Sequence, residues 1–147
     1  MTGERSVYEA AGGAPGVLRL AEAWHRRVLA DPIVAHAFRH HRADHTARLA
    51  AYLGEALGGP PTYTASLGTE SEVVRLHAGN GPHEEMDARA LAAWDAALTD
   101  CGLDADPRLA ATLHAYWADG IRRMAEHHDP ADHVPDGLRL ETWTWDD

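Results

Sequence analysis

Apolar residues recur along this chain at spacings of three and four, in segments cut apart by glycine and proline, and that rhythm predicts helices. Arg5 to Ala11 is a short amphipathic start stopped by Gly12-Gly13. From Pro15 to about Leu29 the residues Val17, Leu18, Leu20, Ala21, Trp24, Val28 and Leu29 follow the period of one buried helical face. Asp31-Pro32 ends that helix and opens a short helical turn through Phe38, after which Arg39 to Ala43 reads as a polar loop. Asp44 is placed to cap the next helix, where His45, Leu49, Tyr52, Leu53, Ala56 and Leu57 share a face. Gly58-Gly59-Pro60-Pro61 is a hard stop, and Thr62 to Gly68 reads as a loop.

Thr69 and Glu72 form a capping box for a short helix ending near His77, and Gly79, Gly81 and Pro82 break the chain again. A helix from about Glu84 to Cys101 turns Ala90, Leu91, Trp94, Ala97 and Leu98 inward. Asp106-Pro107 caps a last long helix with Leu109, Leu113, Tyr116, Trp117, Ile121 and Met124 on its core face. After His128 the chain turns polar, with a trace of β-like alternation over Leu138 to Trp145. The expectation is an all-α domain of six or seven unequal helices, residues 1–128, followed by a tail, residues 129–147. Four helices of similar length, the mark of a regular bundle, are not what the pattern gives.

Composition narrows the function. A chain of 147 residues forms one ordinary domain and buries a core without staples. Cys101 is the one cysteine, which excludes an internal disulfide and a cysteine-based zinc or iron–sulfur site within one chain; it reads as a small buried residue. No apolar run is long enough to span a membrane, and MTGERSVYEA has no apolar stretch behind it, so a cytoplasmic location is expected. A formal net charge of −10 argues against nucleic acid as a partner.

The 11 histidines change the picture more. His77 closes a short helix with Val73 one turn back, which presents an imidazole at the end of a rigid element. The plain alternative is a surface helix end, where histidine suits the helix dipole, and spacing alone favours that alternative. His25 and His45 each lie on or beside an apolar stripe, where a lone histidine is more often a core residue than a ligand. Taken together, three histidines on three helices beside apolar stripes are the convergence that a buried cofactor requires. His36, His40 and His41, and likewise His127, His128 and His133, read as solvated groups. No HExxH, Walker loop, GxSxG or dinucleotide fingerprint occurs.

YEAAGG at Tyr8–Gly13, RVLADP at Arg27–Pro32, GGPPTY at Gly58–Tyr63, VVRLHAG at Val73–Gly79 and ALTDCGLD at Ala97–Asp104 are specific in their joint order and spacing. Over residues 7–126 the chain resembles the group II truncated haemoglobins. The resemblance implies a two-over-two helical sandwich around haem b that binds oxygen and other diatomic ligands. It places His77 on the proximal, iron-ligating histidine. His25 falls where the family carries a tyrosine facing the ligand, Phe38 on the aromatic residue packed on the haem, and His45 at the distal gate. Leu49 falls above the ring, and Arg48 and Tyr63 near the propionates. The family's tryptophan 13 residues beyond the proximal histidine is Ala90 here, with Trp94 one turn later on the same helix face. The family's hydrogen bonds to the ligand therefore do not carry over intact, and imidazoles are the expected donors.

The leading reading is an oxygen-binding haem globin, with nitric-oxide dioxygenation or peroxide-driven oxidation as reactions of the same site and a separate reductase as electron source. The alternative is a non-haem metal enzyme that holds iron or zinc with three histidines of a helical bundle. A third reading is a cofactor-free interaction domain on the same fold, against which the histidine at position 77 argues. In the tail Trp143 and Trp145 flank Thr144, so both indoles face one side. They are expected to cover apolar surface on the body or on a second chain, the latter giving a homodimer.

Overall fold

The computed structural model describes residues 4–38, 43–78, 83–126 and 130–147, and everything below refers to these. The helices are α1 (Val7–Ala10), α2 (Gly13–Leu29), α3 (Pro32–Ala35), α4 (His45–Ala56), α5 (Thr62–Ser66), α6 (Glu70–His77), α7 (Glu84–Asp100) and α8 (Pro107–Ala125). Single 3-10 turns occupy His36–Phe38, Leu103–Ala105 and Ala131–His133. No helix among the described residues is long and apolar enough to cross a membrane.

Several helix starts are written in the capping residues. Asp31 accepts the Ile33 amide, Thr69 the Glu72 amide, and Asp106 the amides of Arg108 and Leu109, with Pro32 and Pro107 in the first turns behind them. Helix α2 is the centre of the fold and packs on both α4 and α7, while α7 also packs on α8. That gives two helix pairs, α2 with α4 and α7 with α8, as the resemblance implies. Between them Leu20, Leu53, Leu57, Trp94 and Leu113 are fully enclosed. Burying each such side chain contributes roughly 1.5–3 kcal/mol before conformational entropy is set against it. Helix α1 lies so close over the first turn of α2 that a Cβ at Gly16 would overlap the Ala11 carbonyl.

The structure departs from the sequence pattern at several places. Thr62–Ser66 is a turn of helix, not loop, and Glu55 secures it by accepting the Thr64 amide at 2.9 Å and the Thr64 hydroxyl at 2.6 Å. Leu18 and Leu29 are 40% and 45% exposed, and Ala23 takes a place on the buried face of α2 instead. Asp44 stands at the start of α4 without a capping hydrogen bond, its carboxylate 3.9 Å from Arg48. Cys101 is half-buried against the core, where burial pushes its thiol pKa up.

No strand forms over Leu138 to Trp145; the segment instead lies along the body. The Trp143 amide donates to the Ala56 carbonyl at 2.7 Å, and its ring meets Tyr116 edge-on at 5.9 Å. The Trp145 indole donates to the Arg5 carbonyl at 2.6 Å under the guanidinium of Arg108, 4.5 Å from the ring centroid.

Candidate functional site

His77 is the last residue of α6, and its side chain is exposed. Its Nδ1 lies 2.8 Å from the Val73 carbonyl, one turn back on the same helix. A carbonyl only accepts, so this contact places a proton on Nδ1, which in the neutral ring leaves the lone pair on Nε2. An imidazole oriented through its other nitrogen is the usual condition of a metal-ligating histidine.

A second group converges from α2, the turn after α3, and α4. The rings of His25 and His45 are 5.1 Å apart, and Phe38 lies 6.0 Å from the first and 5.2 Å from the second. Thr46 Oγ1 is 3.1 Å from His25 Nδ1. Leu49, half-buried, follows His45 one turn along α4. Behind Phe38 stands a wall of indoles. Trp24 meets Phe38 edge-on at 5.6 Å and Trp117 at 4.9 Å, and Trp117 stacks on Trp94 at 4.2 Å with the planes 4° apart. Trp24 donates to the Ala90 carbonyl at 3.2 Å, and Trp94 to the Leu113 carbonyl at 3.0 Å. The Trp117 indole nitrogen is buried without an acceptor among the described residues. Leaving such a donor unmatched costs about 1–3 kcal/mol.

Arg48 and Tyr63 also come together. The guanidinium lies 5.9 Å from the Tyr63 ring centroid and donates to the Leu67 carbonyl at 2.8 Å. Tyr63 is buried edge-on against Tyr52 at 5.4 Å. The Tyr52 hydroxyl in turn donates to Glu70 Oε1 at 2.7 Å, and Arg123 lies 3.5 Å from Glu70 Oε2. Burial, then the neighbouring Tyr116 and Glu70, push the Tyr52 phenol far above its ordinary value, so it stays a neutral donor. Among the described residues no group of three or more His, Cys, Asp or Glu side chains assembles to hold a metal. His40, His41, His127 and His128 lie outside the described residues.

Residues 6–115 match the profile of the bacterial-like globins. The chain belongs to that family. Solved structures repeat the fold of this globin. A haemoglobin from the actinobacterium Thermobifida fusca is 27% identical, with 82% of this chain and 97% of that one aligned at a TM-score of 0.70. The group II truncated haemoglobin of Bacillus anthracis is 19% identical over 84% and 92% of the two chains, at 0.75. The truncated oxygen-avid haemoglobin of Bacillus subtilis is 22% identical over 82% and 98%, at 0.71. None of the curated proteins matches.

Within the globin fold, the residues singled out from sequence fall into three places. His25, Phe38, His45 and Leu49 form one cluster, Arg48 and Tyr63 a second beside it on α4 and α5, and His77 stands on α6. Trp94 is fully buried, stacked on Trp117, with its indole N–H occupied by the α8 backbone. Thr46, Tyr52, Glu70 and Trp117 were not signalled as site residues. Thr46 and Glu70 occupy helix starts, where their types read as ordinary first-turn residues. Tyr52 and Trp117 fit the apolar stripes of α4 and α8, so only contacts distant in sequence reveal what their polar atoms do.

Proposed function

We propose that this globin holds haem b through His77 Nε2 and reversibly binds oxygen, or another diatomic gas, on the side lined by His25, Phe38 and His45. The observation that carries this reading is the Nδ1 contact to the Val73 carbonyl, which in the neutral ring leaves the Nε2 lone pair suited to a metal. The donor set suits haem: one neutral imidazole for the iron, flat aromatic and apolar side chains for the ring, and the Arg48 cation with the Tyr63 ring for the propionates. When bound, the ferrous iron supplies the coordination position for the gas. The protein's part is orientation and exclusion. Phe38 and Leu49 keep water from the ring. Thr46 holds Nδ1 of His25, so that the other edge of that imidazole is presented at a defined angle. His45 stands beside it as the residue that a ligand passes on entry.

The test is to load the purified chain with haem and record ferric, ferrous and carbonmonoxy absorption spectra, for the parent and for His77→Ala. The parent gives a Soret band with a five-coordinate ferrous form or one closed by a second imidazole. His77→Ala loses haem or binds it far more weakly, and its folded state loses the stabilisation that a tight ligand confers. A His77→Ala protein with a normal five-coordinate ferrous spectrum overturns the assignment. A colourless parent that binds iron or zinc without haem overturns the reading.

A further inference from the structure

The helix that carries His77 is held in an unusual way. Helix α6 has eight residues, too few to stand alone in water. Its apolar burial is slight: Val74 is buried, but Leu76 is 79% exposed. The polar or charged side chains that are buried among the described residues are Glu70 and Ser71, and both belong to this helix. Glu70 reaches Tyr52 of α4 and Arg123 of α8. Ser71 faces the C-terminal segment. Its hydroxyl donates to the Pro135 carbonyl at 2.8 Å and accepts the Leu138 amide at 3.0 Å. One turn on, Arg75 donates to the Val134 carbonyl at 3.1 Å and pairs with the Asp136 carboxylate. Val134 is itself buried, and the segment continues to the bonds at Ala56 and Arg5 that seat Trp143 and Trp145. One stretch of chain is thus bonded to α6 at its near end and to the rest of the body at its far end. The family match stops at residue 115, well before that stretch begins.

Apolar contacts resist separation but tolerate sliding and rotation; hydrogen bonds fix direction. A short helix held mainly by polar bonds therefore has its height and rotation set by those bonds. Val73, whose carbonyl orients the imidazole, lies between Ser71 and Arg75, and His77 is two residues beyond Arg75.

We propose that residues 130–147 form a strap that positions the iron ligand: through Ser71 and Arg75 it fixes α6, and so the direction of His77 Nε2. This rests on the haem reading above. Ser71 and Arg75 touch neither the haem nor the gas and are positioning residues. Releasing them lets α6 rock, which spreads the iron–histidine geometry over several values and eases haem escape.

The experiment uses the full-length, haem-loaded protein and its Ser71→Ala, Arg75→Met and doubly substituted forms, with Arg75→Lys as the conservative control. Three readouts are taken: the iron–histidine stretching band of the ferrous gas-free form by resonance Raman, the haem dissociation rate into excess apomyoglobin, and amide hydrogen exchange. The double variant is expected to shift or broaden the band and to speed haem loss at least fivefold. Its α6 amides exchange at least tenfold faster, while those of α2 and α7 keep their rates. Arg75→Lys recovers part of the parent's band. Arg75 is on the surface side of the strap, so Arg75→Met folds even if Ser71→Ala does not, and its predicted changes are the same in kind. A parent band that stays unchanged in all variants, with unchanged haem loss, overturns the positioning role and leaves the haem reading intact. A parent that gives no Soret band with haem, or a His77→Ala protein that keeps the parent's iron–histidine band, overturns both.

Discussion

Tyr52→Phe tests whether the buried polar contact between α4 and α6 stabilises the fold. The substitution removes one oxygen and keeps the ring, so the edge-on contact with Tyr63 at 5.4 Å is preserved. What is lost is the 2.7 Å hydrogen bond to Glu70, a carboxylate in a residue only 5% exposed. A hydrogen bond to a charged group contributes about 1.5–3 kcal/mol, and loss of one partner leaves the other poorly solvated. Arg123 remains 3.5 Å from the second oxygen of Glu70, which keeps the carboxylate from being stranded. The middle of that range, about 2 kcal/mol, is therefore expected. For a domain of this size it corresponds to a melting point lower by roughly 4–8 °C. The assay is urea and thermal unfolding of the haem-free form, so that ligand binding does not inflate the apparent stability. The midpoint should fall with the slope unchanged. A double-mutant cycle with Glu70→Gln should give a coupling of at least about 1 kcal/mol. A Tyr52→Phe cost below about 0.5 kcal/mol would mean that the bond does not hold α6 to α4, and the argument from burial would be wrong.

Two further predictions concern the distal cluster and acid stability. His25→Leu should raise the oxygen dissociation rate at least tenfold, since one hydrogen bond to an acceptor carrying charge is worth roughly one to two decades, and Thr46→Val should move the rate the same way by less. If His25→Leu releases oxygen at the parent rate while Trp117→Phe releases it faster, the indole is the donor and the imidazole is not. At low pH, three aspartates matter. Hydrogen bonding to Arg27 holds the Asp100 carboxyl below the carboxylate range. For Asp31 and Asp119 burial alone would raise the value, but Arg89 for the first and Arg123 with Arg122 for the second outweigh it. A carboxyl with a depressed folded pKa stabilises fully above its unfolded value, about 4, and loses that contribution as pH falls through the folded value. The contribution of these three carboxylates is therefore lost below about pH 4, where the urea midpoint should fall, less steeply in Asp100→Asn. A parent profile flat down to pH 2.5 would refute the assignment.

Much of the architecture was legible because it is local. Asp31, Thr69 and Asp106 announce helix starts through side chains that reach only two or three residues ahead. The period of α2 picked out Val17, Leu20, Ala21, Trp24 and Val28 correctly, and missed at Leu18 and Leu29 because an apolar side chain at the edge of a stripe buries only if a neighbouring helix covers it. Helix α5 was hidden because Thr62–Ser66 carries no apolar period; its shape depends on Glu55, on the preceding helix and across the Gly58–Pro61 break. For the site, His25, Phe38 and His45 do meet, but their meeting depends on how α2 crosses α4, which no spacing states. The family resemblance supplied the grouping that spacing did not. Ser71 and Glu70 were invisible for the opposite reason: they look like first-turn polar residues, and their partners, Pro135, Leu138, Tyr52 and Arg123, lie far away in sequence.

The placing of the five tryptophans has an optical consequence. Trp24, Trp94 and Trp117 are locked together inside the helices, with two of the rings parallel at 4.2 Å, whereas Trp143 and Trp145 ride on the strap. Near-ultraviolet circular dichroism reports aromatic rings held in fixed, asymmetric surroundings and vanishes when packing is lost. The stacked pair gives the interior a signature of its own, and the two strap indoles contribute another from the C-terminal segment. Substituting Trp143 and Trp145 alone, by phenylalanine, would subtract the second signal and leave the first. Detachment of the strap and melting of the helices could then be followed as separate colours of one unfolding experiment, with no label added to the chain.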